Sequence, residues 1–234
     1  MSKPEIIALD AIDCRLEQQP WQFAEENAEA IRAHWQKVIE AKPASFNGKI
    51  LLLHRWQIVE RHFRGAYLMT DYASFLAWRD FGMPGEARWN CFAMAALEAA
   101  DGAFLLGEMA EHTSNAGAIY FAAGTPDPSD LDGEVVNLAG SVTRELEEET
   151  GVSADAINIA SGWTAVFHGQ RIALMKKVRS PLQSRELKNR IEHFLAREER
   201  PELSRMHVVA TQADIRADRM PAFQCAYLAH QLQA

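Results

Sequence analysis

The chain has 234 residues, 48% of them hydrophobic and 24% charged, with a formal net charge of −8. That length admits one large domain or a small one beside a standard one, and the apolar content excludes a disordered chain. The acidic balance argues against a general binder of nucleic-acid backbones, which presents a basic face. Cys14, Cys91 and Cys225 are odd in number and far apart, which speaks against a disulfide framework or a zinc site and for a reducing compartment. The opening MSKPEIIALDAIDC lacks the charged-then-apolar pattern of a signal peptide, and no run of about 18 apolar residues follows. A cytoplasmic protein with neither membrane nor nucleic-acid partner is expected.

In chain order, residues 21–41 carry apolar side chains at helical spacing (Phe23, Ala28, Ile31, Trp35, Val38) before Pro43, which predicts one amphipathic helix. Lys49 to Met69 is rich in β-branched and aromatic residues with a polar break near Glu60, the pattern of an antiparallel pair. Thr70 or Asp71 then caps a short helix, DYASFLAWRDFG, stopped by Gly82 and Pro84. Residues 1–87 therefore read as a helix, hairpin and helix, and 88–234 as a second domain. There, NCFAMAALEAADGAFLLGEM predicts two strands turning at Asp101-Gly102, AGAIYFAAG a third strand, and TPDPSDLDGE a loop. A helix from Leu138 to Thr150 follows, capped by Asn137 and ended by Gly151. A hairpin turning at His168-Gly169, the helix SRELKNRIEHFLAREE, the strand MHVVAT and a closing helix from Pro221 to Leu232 complete the chain. Strands alternating with helices indicate a mixed α/β fold with helices packed on the faces of a sheet.

The octapeptide RELEEETG, residues 144–151, holds four glutamates in five consecutive positions. On a helix, Glu145, Glu148 and Glu149 share one side while Glu147 points elsewhere. Like charges at that spacing repel, so helix stability does not account for them. A hard divalent cation such as Mg²⁺ or Mn²⁺, which takes carboxylate oxygens, would. Arg144, four residues before Glu148, is placed to orient that carboxylate, while Val142 and Leu146 face the core.

The stretch from Arg144 to Val152 resembles the second half of the Nudix box, G-x5-E-x7-R-E-U-x-E-E-x-G-U with U aliphatic. It matches at Arg144, Glu145, Leu146, Glu148, Glu149, Gly151 and Val152. The first half departs from the pattern. The FAAG at 121–124 and the pair Gly133-Glu134 are similar to its glycine and glutamate, but the spacing is Gly124-x9-Glu134-x9-Arg144. The extra length falls in a loop, where insertions cost little.

The resemblance implies a Nudix-type α/β/α sandwich with a mixed sheet from about Arg88 to Leu232, preceded by the small N-terminal region. It also implies a hydrolase that cleaves the diphosphate joining a nucleoside to another moiety, such as a nucleotide sugar or ADP-ribose, to give a nucleoside monophosphate and a second phosphate. The implied metal ligands for Mg²⁺ or Mn²⁺ are Glu145, Glu148 and Glu149, the backbone carbonyl of Ala123 or Gly124, and Glu134. The implied catalytic residues are Arg144, Glu145 and Glu148, and the implied general base is either a glutamate of the box or one in a later loop, where Glu202 ranks ahead of Glu198 and Glu199. A catalytically silent nucleotide-binding or regulatory module is the alternative, and an acidic helix that contacts a basic partner is a third reading.

His168 reads as a turn residue or a ligand, and Arg171, Lys176 and Lys177 as a solvated strand edge or phosphate contacts. Of the six tryptophans, most belong to the core or an interface, and one is available to stack on a base. The N-terminal segments FNGKILLL and GAYLMTDYASFLAWRDFG are faintly similar to the front region of UDP-sugar-cleaving Nudix enzymes. Otherwise the added region builds a homodimer interface or covers a shared pocket, as in ADP-ribose-type relatives.

Overall fold

Asn90–Glu98 is a strand buried on both faces, and that decides the layering. Cys91, Ala93, Ala95 and Leu97 enter one core, Met94 and Ala96 another, so each face needs its own cover. The computed structural model describes residues 3–43, 45–113 and 115–233. Its elements run β1 (Glu5–Leu9), β2 (Ala11–Leu16), α1 (Gln22–Glu26), α2 (Ala28–Ala41), β3 (Lys49–Val59), β4 (His62–Asp71), α3 (Tyr72–Asp80), β5 (Asn90–Glu98), β6 (Phe104–Met109), β7 (Ile119–Tyr120), β8 (Leu131–Asp132), β9 (Val135–Val136), α4 (Leu138–Thr150), β10 (Asn158–Ile159), β11 (Trp163–His168), β12 (Arg171–Arg179), α5 (Ser184–Leu195), β13 (Leu203–Val209) and α6 (Ala222–Gln231).

The main sheet has the order β1-β11-β12-β5-β6-β13, with β10 on β12 and β7 on β6. Strands β12 and β5 are parallel over Arg171↔Asn90 to Arg179↔Glu98. On one face, Leu138, Val142 and Leu146 of α4 and Leu187, Ile191 and Leu195 of α5 pack against the sheet. On the other, Phe223, Tyr227 and Leu228 of α6 cover Met94, Phe104 and Leu106. The α/β/α sandwich expected from the sequence is present. Among the described residues, no helix is long and apolar enough to cross a membrane.

A second sheet, ordered β3-β4-β2-β9-β8, packs Leu51, Leu53, Phe63 and Tyr67 into the α4 side of that core. Its other face meets α3 through Ile50, Leu52 and Leu68 against Phe75 and Trp78. The hairpin and the two helices predicted for the N-terminal region are seen, with two differences. The 21–41 helix is broken at Asn27, whose side-chain Nδ2 donates to the Phe23 carbonyl at 2.9 Å, an Asn ending one helix before the next begins. Two strands precede it that the composition did not announce. One of them, β1, forms the edge of the main sheet on β11.

The loop TPDPSDLDGE is also more ordered than expected. It contains a 3-10 turn at Pro128–Asp130 and the small hairpin β8–β9, which joins the second sheet through Arg15↔Val135. Each sheet thus takes strands from both halves of the chain.

Strands β5 and β6 are registered only at Glu98↔Phe104. Beyond that point they separate, and residues 119–122 fill the gap, with Ile119 and Tyr120 on β6 and Ala122 bridged to Ala95. This wedge delivers Ala123 and Gly124 to the middle of the sheet end. Across the sheet, Gly151 closes α4 in the left-handed conformation (φ 67°), and its N–H donates to the Glu147 carbonyl at 2.8 Å.

Two predictions arise here. A Cβ on Gly151 would meet the Phe194 ring in addition to adopting a left-handed backbone. Gly151→Ala should therefore cost about 1–3 kcal/mol in urea denaturation, whereas an unchanged midpoint would remove the packing argument. Glu108 of β6 binds Arg205 at 2.6 Å, His207 at 2.7 Å and Arg219 at 2.7 Å. Burial alone would raise its carboxyl, but these partners outweigh burial and hold it at about 2. Because the folded value lies below the ordinary 4.5, this stabilisation is present above pH 4.5 and is lost as pH falls towards 2. Glu108→Gln should flatten the fall in stability across that window, as followed by acid titration of the far-ultraviolet signal.

Candidate functional site

Helix α4 is built for one buried face. Leu138, Val142, Leu146 and Thr150 are buried, Asn137 Oδ1 accepts the Gly140 N–H at 2.9 Å at the start, and Gly151 stops the helix. Glu145 and Glu149, one turn apart, flank that face and reach the end of the sheet. Glu149 Oε1 accepts the Ala123 N–H at 3.1 Å. The Glu145 carboxylate lies against Gly124, where any Cβ would overlap it. Gly124 is therefore needed for close approach.

Arg144 gathers the other acids. Its Nη2 donates to Asp130 Oδ1 at 2.8 Å, and its Nη1 reaches Glu145 at 2.8 Å and Glu148 at 3.3 Å. The Asp130 side chain is 1% exposed, whereas that of Glu148 is 60% exposed. The expected grouping of Glu145, Glu148 and Glu149 is thus divided. At 100° per residue, Glu148 sits a quarter-turn from Glu149 and is the exposed member of the three, while Glu145 and Glu149 are turned towards Ala123–Gly124.

The electrostatics of the inward pair follow from burial. Burial raises the Glu145 carboxyl to about 7; Arg144 opposes the rise, and Glu148, Asp130 and Glu202 add to it. Burial raises Glu149 to about 8; the Ala123 N–H opposes this, and Glu145, Glu202 and Glu148 reinforce it. Burial lowers the tendency of Arg144 to stay charged, but Asp130 and the glutamates more than restore it. Glu202, exposed just before β13, is close enough to act on both inward glutamates, and its carbonyl accepts the Ala110 N–H at 2.8 Å.

Glu134 lies elsewhere. With Gly133 (φ 62°) it forms the exposed two-residue tip of the β8–β9 hairpin, and its carbonyl accepts the Leu16 N–H at 2.8 Å. The loop acid that reaches Arg144 is Asp130. It is held by the 3-10 turn, where its Oδ2 accepts the Asp127 N–H at 3.1 Å and its carbonyl accepts the Asn137 N–H at 2.7 Å. Sequence reasoning missed Asp130, whose one local signal is a capping-box turn in PDPSD.

A cleft of about 170 Å³ opens beside Glu149, Ala123 and Gly124. It is lined by Phe92, Met94 and Asn90 of β5, Tyr120 and Phe121, and Phe223 of α6, together with Tyr72, Phe75 and Arg79 of α3. The N-terminal region thus supplies a wall of the cleft, for which its sequence carried no local signal. Arg171 also lines the cleft. Lys176 instead donates to the Gly162 carbonyl at 2.9 Å, Lys177 pairs with Glu98, and His168 ends β11 opposite Arg171.

The donor set suits a hard divalent cation. Two part-buried carboxylates repel each other at the end of a strand whose Gly124 leaves room for them. Among the described residues, no three His, Cys, Asp or Glu side chains converge as a cage. Mg²⁺ is commonly held by one or two carboxylates, with water and substrate phosphate completing the shell, so a pair meets its requirement.

No family model matches the chain, and no curated protein sequence does. Among solved structures it is similar to a MutT protein from Methanosarcina mazei Go1, at 18% identity and TM-score 0.40, over 61% of this chain and 92% of that one. It is also similar to the Nudix hydrolase RenU from M. smegmatis, at 15% and 0.35, over 61% and 85%. A C. elegans Ap4A hydrolase matches at 15% and 0.39, over 61% and 92%. RenU bears the family name that residues 144–152 resemble, but values this low leave function to the side chains of the site.

Asp130→Asn removes the buried partner of Arg144 and should destabilise the protein by about 2–4 kcal/mol. Glu134→Gln, at an exposed tip, should stay within about 0.5 kcal/mol of the parent. Equal losses in chemical denaturation would mean that Asp130 does not organise the site.

Proposed function

We propose that this protein is a metal-dependent hydrolase of the diphosphate bond in a nucleoside diphosphate linked to another moiety, releasing a nucleoside monophosphate and a second phosphate. The observation that carries this reading is the pair Glu145 and Glu149 held at Ala123–Gly124, where Glu149, Ala123 and Gly124 line an aromatic cleft that Arg79 and Arg171 also line. The match of residues 144–152 to the Nudix box supports it from the sequence. Residues 88–234 carry the chemistry in this reading, and residues 1–87 complete the cleft through α3.

Glu145 and Glu149 would hold Mg²⁺ or Mn²⁺, with the carbonyl of Ala123 or Gly124 and Glu148 as further donors; a cation held there would supply neutralisation of diphosphate charge and a more acidic water. The remaining work belongs to the chain. Arg144, fixed by Asp130, keeps Glu145 in place. Glu202 takes the proton from the attacking water as general base. Tyr72, Phe92 and Tyr120, each partly exposed in the cleft, present ring faces and edges to a nucleoside. A small-molecule substrate fits such a concave, largely apolar site with a few polar groups.

The test is a panel of nucleotide sugars, ADP-ribose, dinucleotides, coenzyme A and nucleoside triphosphates, incubated with Mg²⁺ or Mn²⁺. Turnover of at least one diphosphate-linked compound is expected. Glu145→Gln, Glu148→Gln and Glu149→Gln should each lower kcat/KM by roughly 100-fold or more while circular dichroism stays unchanged, a loss of about 3 kcal/mol of transition-state stabilisation. Ligand-induced thermal stabilisation without any product would instead establish a silent binding module.

A further inference from the structure

Arg171 opens β12 beside Asn90 in parallel register, on the sheet face that also presents Phe92 to the cleft. Arg79, in the last turn of α3, lines the same cleft. Both guanidinium groups act on one phenol that lines the same cleft: burial raises the Tyr120 hydroxyl, and Arg171 and Arg79 oppose the rise. Arg79 shares its charge with Asp80 at 2.8 Å. Arg171 makes no ion pair among the described residues, in a chain whose net charge is −8.

Two like charges brought to one small cleft repel, and salt screens exposed charges but acts less in a recess. An arginine on a solvated strand end would be free to turn to any nearby acid; Arg171 instead borders the same recess as Glu149, Tyr120 and Arg79. A planar guanidinium fork matches phosphate oxygens in a bidentate manner, and two forks lining one small cleft offer a place for such a group.

We propose that Arg171 and Arg79 form an oxyanion subsite that binds a phosphate group of the ligand at the α3 wall of the cleft. This deepens, and rests on, the reading of the cleft as a substrate site. The phosphate has two possible origins, the scissile diphosphate itself or a phosphate on the moiety attached to it. In either case the N-terminal region contributes to selection of the substrate, through Arg79.

Isothermal titration calorimetry in EDTA at low ionic strength, with inorganic pyrophosphate and ribose 5-phosphate as separate probes, tests the subsite without requiring turnover. The wild-type chain is expected to bind at least one probe saturably. Arg171→Gln should weaken that binding 10-fold or more, Arg79→Gln should weaken it less, and Arg171→Lys should recover part of it. A loss confined to pyrophosphate assigns the subsite to the scissile diphosphate, and a loss confined to ribose 5-phosphate assigns it to the attached moiety. Loss of both supports a general phosphate site. Absence of saturable binding to the wild type, or unchanged affinity in both glutamine variants, overturns the proposal. Arg171 is exposed, so its variants should keep the parent melting temperature, and the same measurement on Arg79→Gln, which also loses the pair with Asp80, separates lost binding from lost fold. Failure of every compound in the hydrolysis panel would defeat the catalytic reading and leave these binding results standing.

Discussion

Arg144 meets Asp130, Glu145 and Glu148 at once, and the geometry of the site depends on it. The bond to Asp130 ties the loop before α4 to the middle of that helix. The bond to Glu145 keeps a carboxylate against Gly124. On the far side, the Ala123 N–H holds Glu149. The end of the helix is therefore clamped to the end of a strand from two directions. Two inward glutamates, pushed by burial to about 7 and 8, are costly for a fold to keep. Their retention makes physical sense as a site prepared for positive charge.

The sheet makes room for that clamp by splaying. Because β5 and β6 part after Glu98↔Phe104, residues 119–122 occupy the gap and deliver Ala123 and Gly124 beneath α4. Since β5 is buried on both faces, α4 and α6 lie on opposite sides, and the cleft opens at the sheet end where Glu149 comes near Phe223. The exchange of strands between the sheets, β1 into the large one and β9 into the small one, couples the N-terminal region to this end. Helix α3 thereby becomes a wall of the cleft and more than an appended element.

Much of this was legible from local rules. Asn137 and Gly151 mark the ends of α4, and the three- and four-residue spacing of its apolar positions identifies its buried face, because capping and helical period act within one or two turns. The hairpin at Gly169 and the turn at Asp101-Gly102 were readable for the same reason. The break at Asn27 was not, since apolar spacing continues across it and a single side-chain hydrogen bond to Phe23 accompanies the interruption. Strands β1 and β2 escaped notice because short strands acquire their identity from the partners they pair with.

The sequence by itself determined the acidic helix, its caps, the resemblance of residues 144–152 to the Nudix box and the alternation of strands and helices. Each of these is written in residues a few positions apart. Tertiary structure decided which acid meets Arg144. Gly133 and Glu134 turn a hairpin that β2 captures through Arg15↔Val135, so Glu134 is carried to an exposed tip while Asp130 is carried inward. It also decided that Glu148 stands outside the inward pair and that Arg79 and Arg171 share one recess. Those choices depend on pairings between segments distant along the chain, whose geometry no local period encodes.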